Sequence, residues 1–353
     1  MGRKESSIYR KFFNYLTILV FSISISSNDL NVYIDSKQKT FEEIALKIWN
    51  YAELGYLENK SSQALSNELE NNGFKIINGV AGIPTSFIAE YNNGGPIIGI
   101  LGEYDALPGL AQTASPFKEV ALNETNGGHA CGHHLFGAAS AWAAVVIKEW
   151  IIKNNIKGTI RFYGTPAEEG GSGKVYLVRE GLFDDVDIVL HWHPDDTNSA
   201  NSRTSNSNKS GKFTFRGISA HAAGAPEQGR SALDGVEAMN HMVNMMREHI
   251  PQESRIHYVI TKGGLAPNVV PDLAEVYYYV RHPKMDMVDE LFKRVVKIAE
   301  GAAYGTETNM SYEVMHGNFS LLPNETIQKI VHKNLSNLGG ISYTKEENDY
   351  AKE

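Results

Sequence analysis

The 353-residue sequence predicts an α/β domain with a mixed, mostly parallel sheet covered by helices, into which a ferredoxin-like α+β domain is inserted. Two observations carry this prediction. Nearly continuous apolar runs alternate with helical stretches in the first half, as in a sheet buried on both faces. Beyond residue 210 the predicted order becomes strand, helix, strand, strand, helix, strand. That order is the ferredoxin-like split unit.

In the first half, apolar residues recur at helical spacing in two segments of residues 40–72, before a stop at Gly73. Apolar strands are predicted at 97–101, 159–163 and 186–190, with a helix at 135–152. Acids or histidines follow the end of each strand. Because ligands of such sheets bind outside the carboxyl ends of the strands, we expect the functional site there.

The Asn/Ser-rich stretch 195–210 is a predicted linker. It leads into the elements of the inserted domain. These are strands at 212–216, 255–262, 274–281 and 308–315, and helices at 231–250 and 286–304.

Composition limits the protein class. The net charge of −8 and the pI near 5.9 argue against nucleic acid as a partner, and a single cysteine excludes an internal disulfide. Residues 1–27 combine basic residues with a short apolar stretch and then small residues, as a secretory signal does. A buried helix or a frayed tail is the alternative. We expect export, periplasmic or secreted, and otherwise a cytoplasmic protein.

Cys131 and His133 lie two residues apart in the run GHACGHH and can reach one cation. Sulfur together with imidazole indicates a transition metal. A buried, apolar Cys131 is the alternative, which two directly following histidines disfavour. We predict that Glu169 and His193 are further ligands. His134 is expected either to lie beside the ligands or to lie at the helix start.

Glu168 and Glu169 are adjacent acids before two glycines, and their side chains should diverge. We predict that Glu169 binds metal and that Glu168 is the general base; a solvated turn is the alternative. Asp105 is expected to orient a ligand. His191 is expected to be a satisfied core histidine.

The inserted domain offers His221 between small residues, and Asn268 and Arg281 at loop or strand ends. The guanidinium fork of Arg281 suits a substrate carboxylate. From the residues alone, structural and functional roles stay equally open for all three.

Six motifs in one order resemble the aminoacylase and carboxypeptidase group of metallopeptidases, in particular its amidohydrolase branch, over residues 40–324. They are GEYDALPG, GGHACGHH, YGTPAEEGGSGK, VREGLFDDVD, SAHAAGAPEQGRSALD and GGLAPNVVP. The resemblance implies a catalytic domain with two divalent ions, zinc or manganese, and an inserted lid that mediates homodimerisation. The implied bounds are 40–205 for the first catalytic part, 211–320 for the lid and 321–353 for a returning, incomplete catalytic segment.

Carried over by position, the ligand set is implied to be Cys131, His133, Glu169 and His193, with Glu168 as the base. His221 is implied to stabilise the tetrahedral oxyanion, in related enzymes from the opposite subunit. Asn268 and Arg281 are implied to hold the substrate. These assignments are what the resemblance implies, and they go further than the spacing of the residues.

The implied activity is metal-dependent hydrolysis of an N-acyl or N-aroyl amino acid, a small amide with a carboxylate such as an aminobenzoyl-glutamate-like compound. Other acylated amino acids or dipeptides are alternative substrates. Two departures are visible: His134 stands where relatives commonly carry Asn or Asp, and the family's final histidine ligand has no counterpart. His332, the only histidine after residue 321, lies in another context. We therefore expect a truncated chain, with an inactive fragment that binds metal or dimerises as the alternative.

Overall fold

The computed structural model describes residues 27–201 and 203–353. The predicted signal segment, residues 1–27, lies outside the described residues except for its last residue. Two sheets with separate hydrophobic cores make up most of the described chain.

The first sheet has five strands in the order β1-β2-β6-β3-β7. The strands are β1 Lys75–Asn78, β2 Phe87–Asn92, β3 Ile97–Gly102, β6 Thr159–Gly164 and β7 Ile188–Leu190. Strand β2 is antiparallel to both of its neighbours, whereas β6, β3 and β7 are parallel. Four of the five strands therefore point the same way, which confirms a mixed, mostly parallel sheet.

Three helices cover this sheet: α1 Ser27–Tyr51, α2 Asn59–Asn71 and α3 His133–Lys153. Helix α3 packs against both α1 and β3. Among the described residues it alone is long and apolar enough to cross a membrane, but 56% of its apolar window is buried. That burial is typical of a core helix. A Cβ at Gly137 would lie 2.5 Å from the carbonyl oxygen of Glu103, so only glycine lets α3 pass this close to the end of β3.

Most predicted elements of the first sheet are present, with two differences. The third predicted strand is shorter, beginning at Ile188 rather than residue 186. The hairpin of β1 and β2 was not assigned from the sequence, because edge strand β1 is mostly exposed and carries no clean apolar run. A two-stranded ribbon, β4 Leu107–Pro108 and β5 Gly127–Gly128, and helix α4 Gly173–Arg179 complete this half.

The second sheet is antiparallel throughout, in the order β11-β8-β10-β9. Its elements are β8 Ser207–Arg216, α5 Ala232–Met246, β9 Arg255–Lys262, β10 Leu273–His282, α6 Met285–Gly305 and β11 Asn309–Asn318. We call residues 207–318 the α+β unit. The strand order is the ferredoxin-like one that was predicted, and α5 and α6 cover one face of the sheet.

Strand β8 begins at Ser207, so the last four residues of the predicted linker belong to the sheet. Helix α5 starts where predicted, because the hydroxyl of Ser231 accepts the backbone N–H of Asp234 at 3.1 Å and caps the helix. Beyond β11, helices α7 Glu325–Leu338 and α8 Lys345–Tyr350 contain no buried residue.

Candidate metal centre

Three parallel strands, β3, β6 and β7, end at the same edge of the first sheet, and α3 begins beside them. This topology gathers the polar side chains that follow each strand. They are, in chain order, Glu103, Asp105, Glu168, Glu169, His191 and His193. The start of α3 adds Cys131 and His133 to the same place.

Cys131, His133 and His193 present ligand atoms within 4.8 Å of one another. The Sγ atom of Cys131 lies 3.4 Å from Nε2 of His193. Ligand atoms arranged tetrahedrally about 2.0–2.3 Å from a zinc ion are about 3.3–3.8 Å apart. The Cys131–His193 pair therefore matches the separation that one shared cation requires, and His133 lies within 4.8 Å of both.

The two glutamates of the turn Glu168–Gly171, here called the Glu168 turn, flank His133 in different ways. Oε1 of Glu169 lies 3.9 Å from Nε2 of His133, and the Glu169 side chain is 18% exposed. Oε2 of Glu168 lies 4.0 Å from the same nitrogen, but its side chain is 43% exposed. Both carboxylates therefore approach the same nitrogen, and the two side chains differ in exposure, with Glu168 the more accessible to a reacting molecule.

Asp105 fixes two members of the cluster. Its Oδ1 lies 2.9 Å from Nδ1 of the buried His133, and its Oδ2 accepts the backbone N–H of Glu169 at 2.8 Å. Because the carboxylate of Asp105 holds Nδ1 of His133, Nε2 of the same ring faces the other ligands. Asp105 thus orients one predicted ligand and anchors the backbone of another.

Glu103 is a site residue that sequence reasoning missed, although it stands two places before Asp105 at the same strand end. The Glu103 side chain is buried, and its Oε2 lies 2.9 Å from Nε2 of His133. Lys174 pairs with its other oxygen, which is also 3.6 Å from Nε2 of His191. Despite burial, contacts with His133, His191 and Lys174 hold the pKa of Glu103 well below its usual range. His191, expected in the core, is a partly exposed site residue, so that expectation was wrong.

Unpartnered buried atoms test whether these residues fit a metal. Oε2 of Glu103, Nε2 of His133 and Oε1 of Glu169 are buried and form no aligned hydrogen bond among the described residues. All three converge, and leaving such groups unsatisfied costs about 1–3 kcal/mol each. A divalent cation would satisfy them together, so the residues fit the group.

Protonation in the cluster depends on its acids. Burial lowers the pKa of His133, but Asp105 and Glu103 outweigh it and raise that pKa to about 10. Burial, and next the charge of Glu169, raises the pKa of the Cys131 thiol to about 12. Because ligands must lose their protons to bind metal, cation binding here releases protons.

The Glu168 turn is held from outside by a segment between α1 and α2. Oε1 of the fully buried Glu58 accepts the backbone N–H of Ala167 at 2.7 Å, just before the turn. The hydroxyl of Tyr56 donates to the carbonyl oxygen of Gly171 at 2.6 Å, at its end. Ala167 has a φ of 56°, a left-handed conformation that is costly without glycine. These two contacts hold the turn in place, and sequence reasoning missed them both.

His134 points away from the cluster. Its ring centroid lies 4.9 Å from that of Trp49 and 5.2 Å from that of His129. Burial and the nearby His133 lower the pKa of His134 to about 4. Consecutive residues on a helix diverge by about 100°, so of its two expected places His134 takes the one at the helix start, in the first turn of α3.

The three predicted residues of the α+β unit fall in two places. His221 and Asn268 are exposed on adjoining loops, where the carbonyl of Asn268 accepts the N–H of Ala222 at 3.1 Å. None of their contacts within the described residues reaches the metal cluster. Arg281 lies elsewhere, on β10, with its guanidinium 5.1 Å from the ring centroid of Tyr279.

Known proteins resemble this chain in sequence and in fold. The peptidase dimerisation domain of the M20 family matches residues 204–307. One component of the p-aminobenzoyl-glutamate hydrolase of Escherichia coli is 43% identical over 322 residues, which are 91% of this chain and 67% of that protein. A hippurate hydrolase of Campylobacter jejuni is 25% identical, over 76% of this chain and 71% of the relative.

Solved structures share the fold. An aminobenzoyl-glutamate utilization protein from Klebsiella pneumoniae has a TM-score of 0.68 at 18% identity, covering 89% of this chain and 84% of the other. A dinuclear metal-binding M20 peptidase from Bacillus subtilis has a TM-score of 0.59 at 20% identity, covering 86% and 82%. With the sequence match over most of the chain, these findings identify the protein as a hydrolase belonging to the M20 peptidase family, with a dimerisation domain at residues 204–307.

Proposed function

We propose that this protein hydrolyses the amide bond of an N-acyl or N-aroyl amino acid, with a p-aminobenzoyl-glutamate-like amide as substrate. The observation that carries the proposal is the cluster of Cys131, His133 and His193 with two glutamates beside it. The substrate named for the Escherichia coli relative supports this choice of amide.

Cys131, His133, Glu169 and His193 would hold the metal, as two ions in a full site. When bound, the ions would polarise the amide carbonyl and lower the pKa of the attacking water. The thiol favours zinc, while manganese stays open because carboxylate and imidazole also suit it. The set of unpartnered atoms supports a divalent cation without distinguishing the two metals.

Glu168 is the proposed general base. Burial, and next the charge of Glu103, raises the pKa of its carboxyl, which brings a carboxylate closer to the pH at which base catalysis is efficient. Glu168 takes a proton from the attacking water and returns it to the leaving amine. Its greater exposure than Glu169 supports this division of roles.

The α+β unit is the proposed lid, through which two copies form a homodimer. Nδ1 of His221 accepts the backbone N–H groups of Ala223 and Gly224, so Nε2 carries the ring proton of the neutral histidine. That N–H group faces outward on an exposed loop beside Asn268. We propose that it stabilises the oxyanion in the other subunit, while Arg281 binds the substrate carboxylate.

A second candidate is a chain that binds metal or dimerises without turnover. The exposed position of His221, away from the metal cluster of its own chain, favours this candidate. Export remains a proposal that rests on the composition of residues 1–27 alone.

Amide cleavage by the purified 353-residue chain tests the function. We expect p-aminobenzoyl-glutamate to be cleaved, and the activity to disappear with a chelator and return with zinc or manganese. Hippurate and acyl dipeptides assayed in parallel separate the substrate alternatives. Chelator-insensitive cleavage would exclude the proposal, and absence of cleavage by a metal-loaded dimer would favour the second candidate.

A further inference from the structure

A cavity lies in the α+β unit between the end of α5 and the start of β9. Its volume is about 250 Å³, and its wall combines residues of the connecting segment 247–254 with Arg255 and Ile256 of β9. None of these residues belongs to the metal cluster. Pockets for drug-sized ligands usually measure about 300–1,000 Å³, so this cavity suits a smaller, compact occupant.

The wall of the cavity is positively charged. Arg247 and Arg255 both line it, and no acid is among the described residues that do so. The acids of the same segment, Glu248 and Glu253, are exposed and lie outside the wall. Neither arginine forms an ion pair within residues 27–201 and 203–353. Because a guanidinium group is always charged in proteins, the cavity attracts an anion.

Hydrogen bonds orient both guanidinium groups and leave part of each one available. Nη1 of Arg255 donates to the carbonyl oxygens of Gln252 and Ser254, each at 2.7 Å. Nε of Arg247 donates to Oδ1 of Asn244 at 3.0 Å. Among the described residues, the Nε–Nη2 edge of Arg255 and the two terminal nitrogens of Arg247 have no acceptor. Each pair is a fork that matches two oxygens of one oxyanion.

Ser254 adds a buried hydroxyl group to the same wall. Its side chain is only 7% exposed, and its Oγ forms no hydrogen bond within the described residues. The backbone N–H of Ser254 donates to the carbonyl oxygen of Pro251 at 2.9 Å, which holds the residue in a turn. Burying a hydroxyl without a partner is unfavourable, and an oxyanion in the cavity would accept its hydrogen.

Simpler explanations account for only part of this arrangement. Arg247 follows the last residue of α5, where a cation favours the helix dipole, but this does not apply to Arg255. A water molecule would satisfy Ser254 without balancing two charges. A single carboxylate carries one charge and needs one fork. A phosphate group carries a charge of about −1.5 to −2 near pH 7 and has three strong acceptor oxygens, which matches two forks and a hydroxyl.

We propose that the cavity between α5 and β9 binds a phosphate group. Arg247 and Arg255 each bind it through a fork, and Ser254 donates its hydroxyl hydrogen to a further oxygen. The bound group ties segment 247–254 to β9 and so stabilises the folded α+β unit. This site lies outside the metal cluster, and its occupancy does not depend on the proposed amidohydrolase function.

Calorimetric titration of the metal-loaded full chain with inorganic phosphate, at constant ionic strength, tests the site. Hydrogen bonds to charged groups are worth about 10- to 100-fold in binding, so Arg255→Gln should weaken phosphate binding at least about 10-fold. Arg216→Gln is the matched control. Arg216 is exposed and pairs with Leu273 at the start of β10, whereas Arg255 pairs with Arg281 near its end. Equal phosphate affinity in Arg255→Gln and wild type, as for phosphate held at the metal cluster, would overturn the proposal.

Ser254→Ala is the second variant and guards against misfolding. Because the hydroxyl it removes has no partner, the Tm in phosphate-free buffer should not fall. Added phosphate should then raise the Tm of Ser254→Ala less than that of the wild type. The same increase in both proteins would contradict the assignment of Ser254.

The choice of anion separates the sources of the phosphate group. Acetate should bind at least about 10-fold more weakly than inorganic phosphate, since it has one charge and two oxygens. Tighter binding of glycerol 3-phosphate than of inorganic phosphate would support the site and identify a phosphorylated metabolite as its ligand. The reverse order would support the free ion. Binding of neither, or equal binding of acetate and phosphate, would reject the proposal.

Discussion

The metal cluster and the second sheet are built differently. Around His133, atoms with lone pairs converge: carboxylate oxygens of Glu103 and Glu169 and the thiol of Cys131. On the second sheet, Tyr277, Tyr279 and Arg281 alternate along β10 with the core residues Tyr278 and Val280, so they lie on the face opposite to α5 and α6. The first site arises from the ends of parallel strands, the second surface from one face of an antiparallel sheet.

This difference indicates how a substrate would be oriented. On the proposed function, the amide carbonyl oxygen would lie at the cation and the substrate carboxylate at Arg281. An acylated amino acid carries both groups on one small molecule, so its amide bond would lie between them, beside Glu168. Holding a substrate at two ends accounts for much of the advantage of enzymes over solution reactions. The variants below separate the contribution of each site.

Glu168→Gln should have the largest effect, because it removes the base and keeps the shape. We expect kcat to fall about 10²- to 10⁴-fold, with bound metal per chain unchanged by atomic emission. Glu180→Gln, at an exposed position after α4, is the control and should retain full activity. Normal kcat in Glu168→Gln would assign the base elsewhere.

Cys131→Ser should weaken the cation site. Replacing a soft thiolate by a hydroxyl should lower zinc affinity at least about 10- to 100-fold, the range seen when even outer partners of ligands are lost. Competition with a chromogenic chelator measures this affinity. Unchanged zinc affinity in the variant would mean that Cys131 is not a metal ligand.

Glu58→Gln should change the pH dependence of stability. Burial, only partly offset by hydrogen bonds from Thr85 and Ala167, raises the pKa of Glu58 from 4.5 to about 7. A raised pKa means that the contribution is fully present below pH 4.5 and is lost as the pH rises through 7. The free energy of unfolding of the wild type should therefore fall across this window by up to about 3 kcal/mol more than that of Glu58→Gln.

Urea unfolding at several pH values measures this dependence. Glu70→Gln, at an exposed position at the end of α2, is the control and should unfold like the wild type. The same pH slope in Glu58→Gln and wild type would mean that Glu58 is not the group responsible.

Sequence reasoning reached the parts of the molecule that depend on local pattern. The predicted order of strands and helices beyond residue 210 agrees with the second sheet, and the expectation that acids and histidines gather at strand ends agrees with the positions of Glu169 and His193. It missed Glu58 and Tyr56 because their partners lie 109 and 115 residues away and depend on backbone strain at Ala167. No local pattern encodes such contacts.

The His191 error has a related cause. Alternation along a strand placed His191 and His193 on one side, but the composition of β7 suggested a buried neighbourhood. In the fold, His191 lies beside Glu103, which also pairs with His133 and Lys174. Which histidine meets an acid depends on the order of strands in the sheet, and that order was not available from the spacing of residues.

Tyr56→Phe should have the smallest effect and tests how tightly the base must be held. It removes one hydrogen bond, from the Tyr56 hydroxyl to the carbonyl of Gly171, and keeps the ring that packs on the turn. Such a bond contributes about 1 kcal/mol, so kcat should fall about 5-fold with KM unchanged. Tyr91→Phe is the control, because the Tyr91 ring packs near Phe74 and its hydroxyl has no hydrogen bond within the described residues. An effect on KM rather than on kcat would mean that the contact between Tyr56 and Gly171 positions the substrate instead of Glu168.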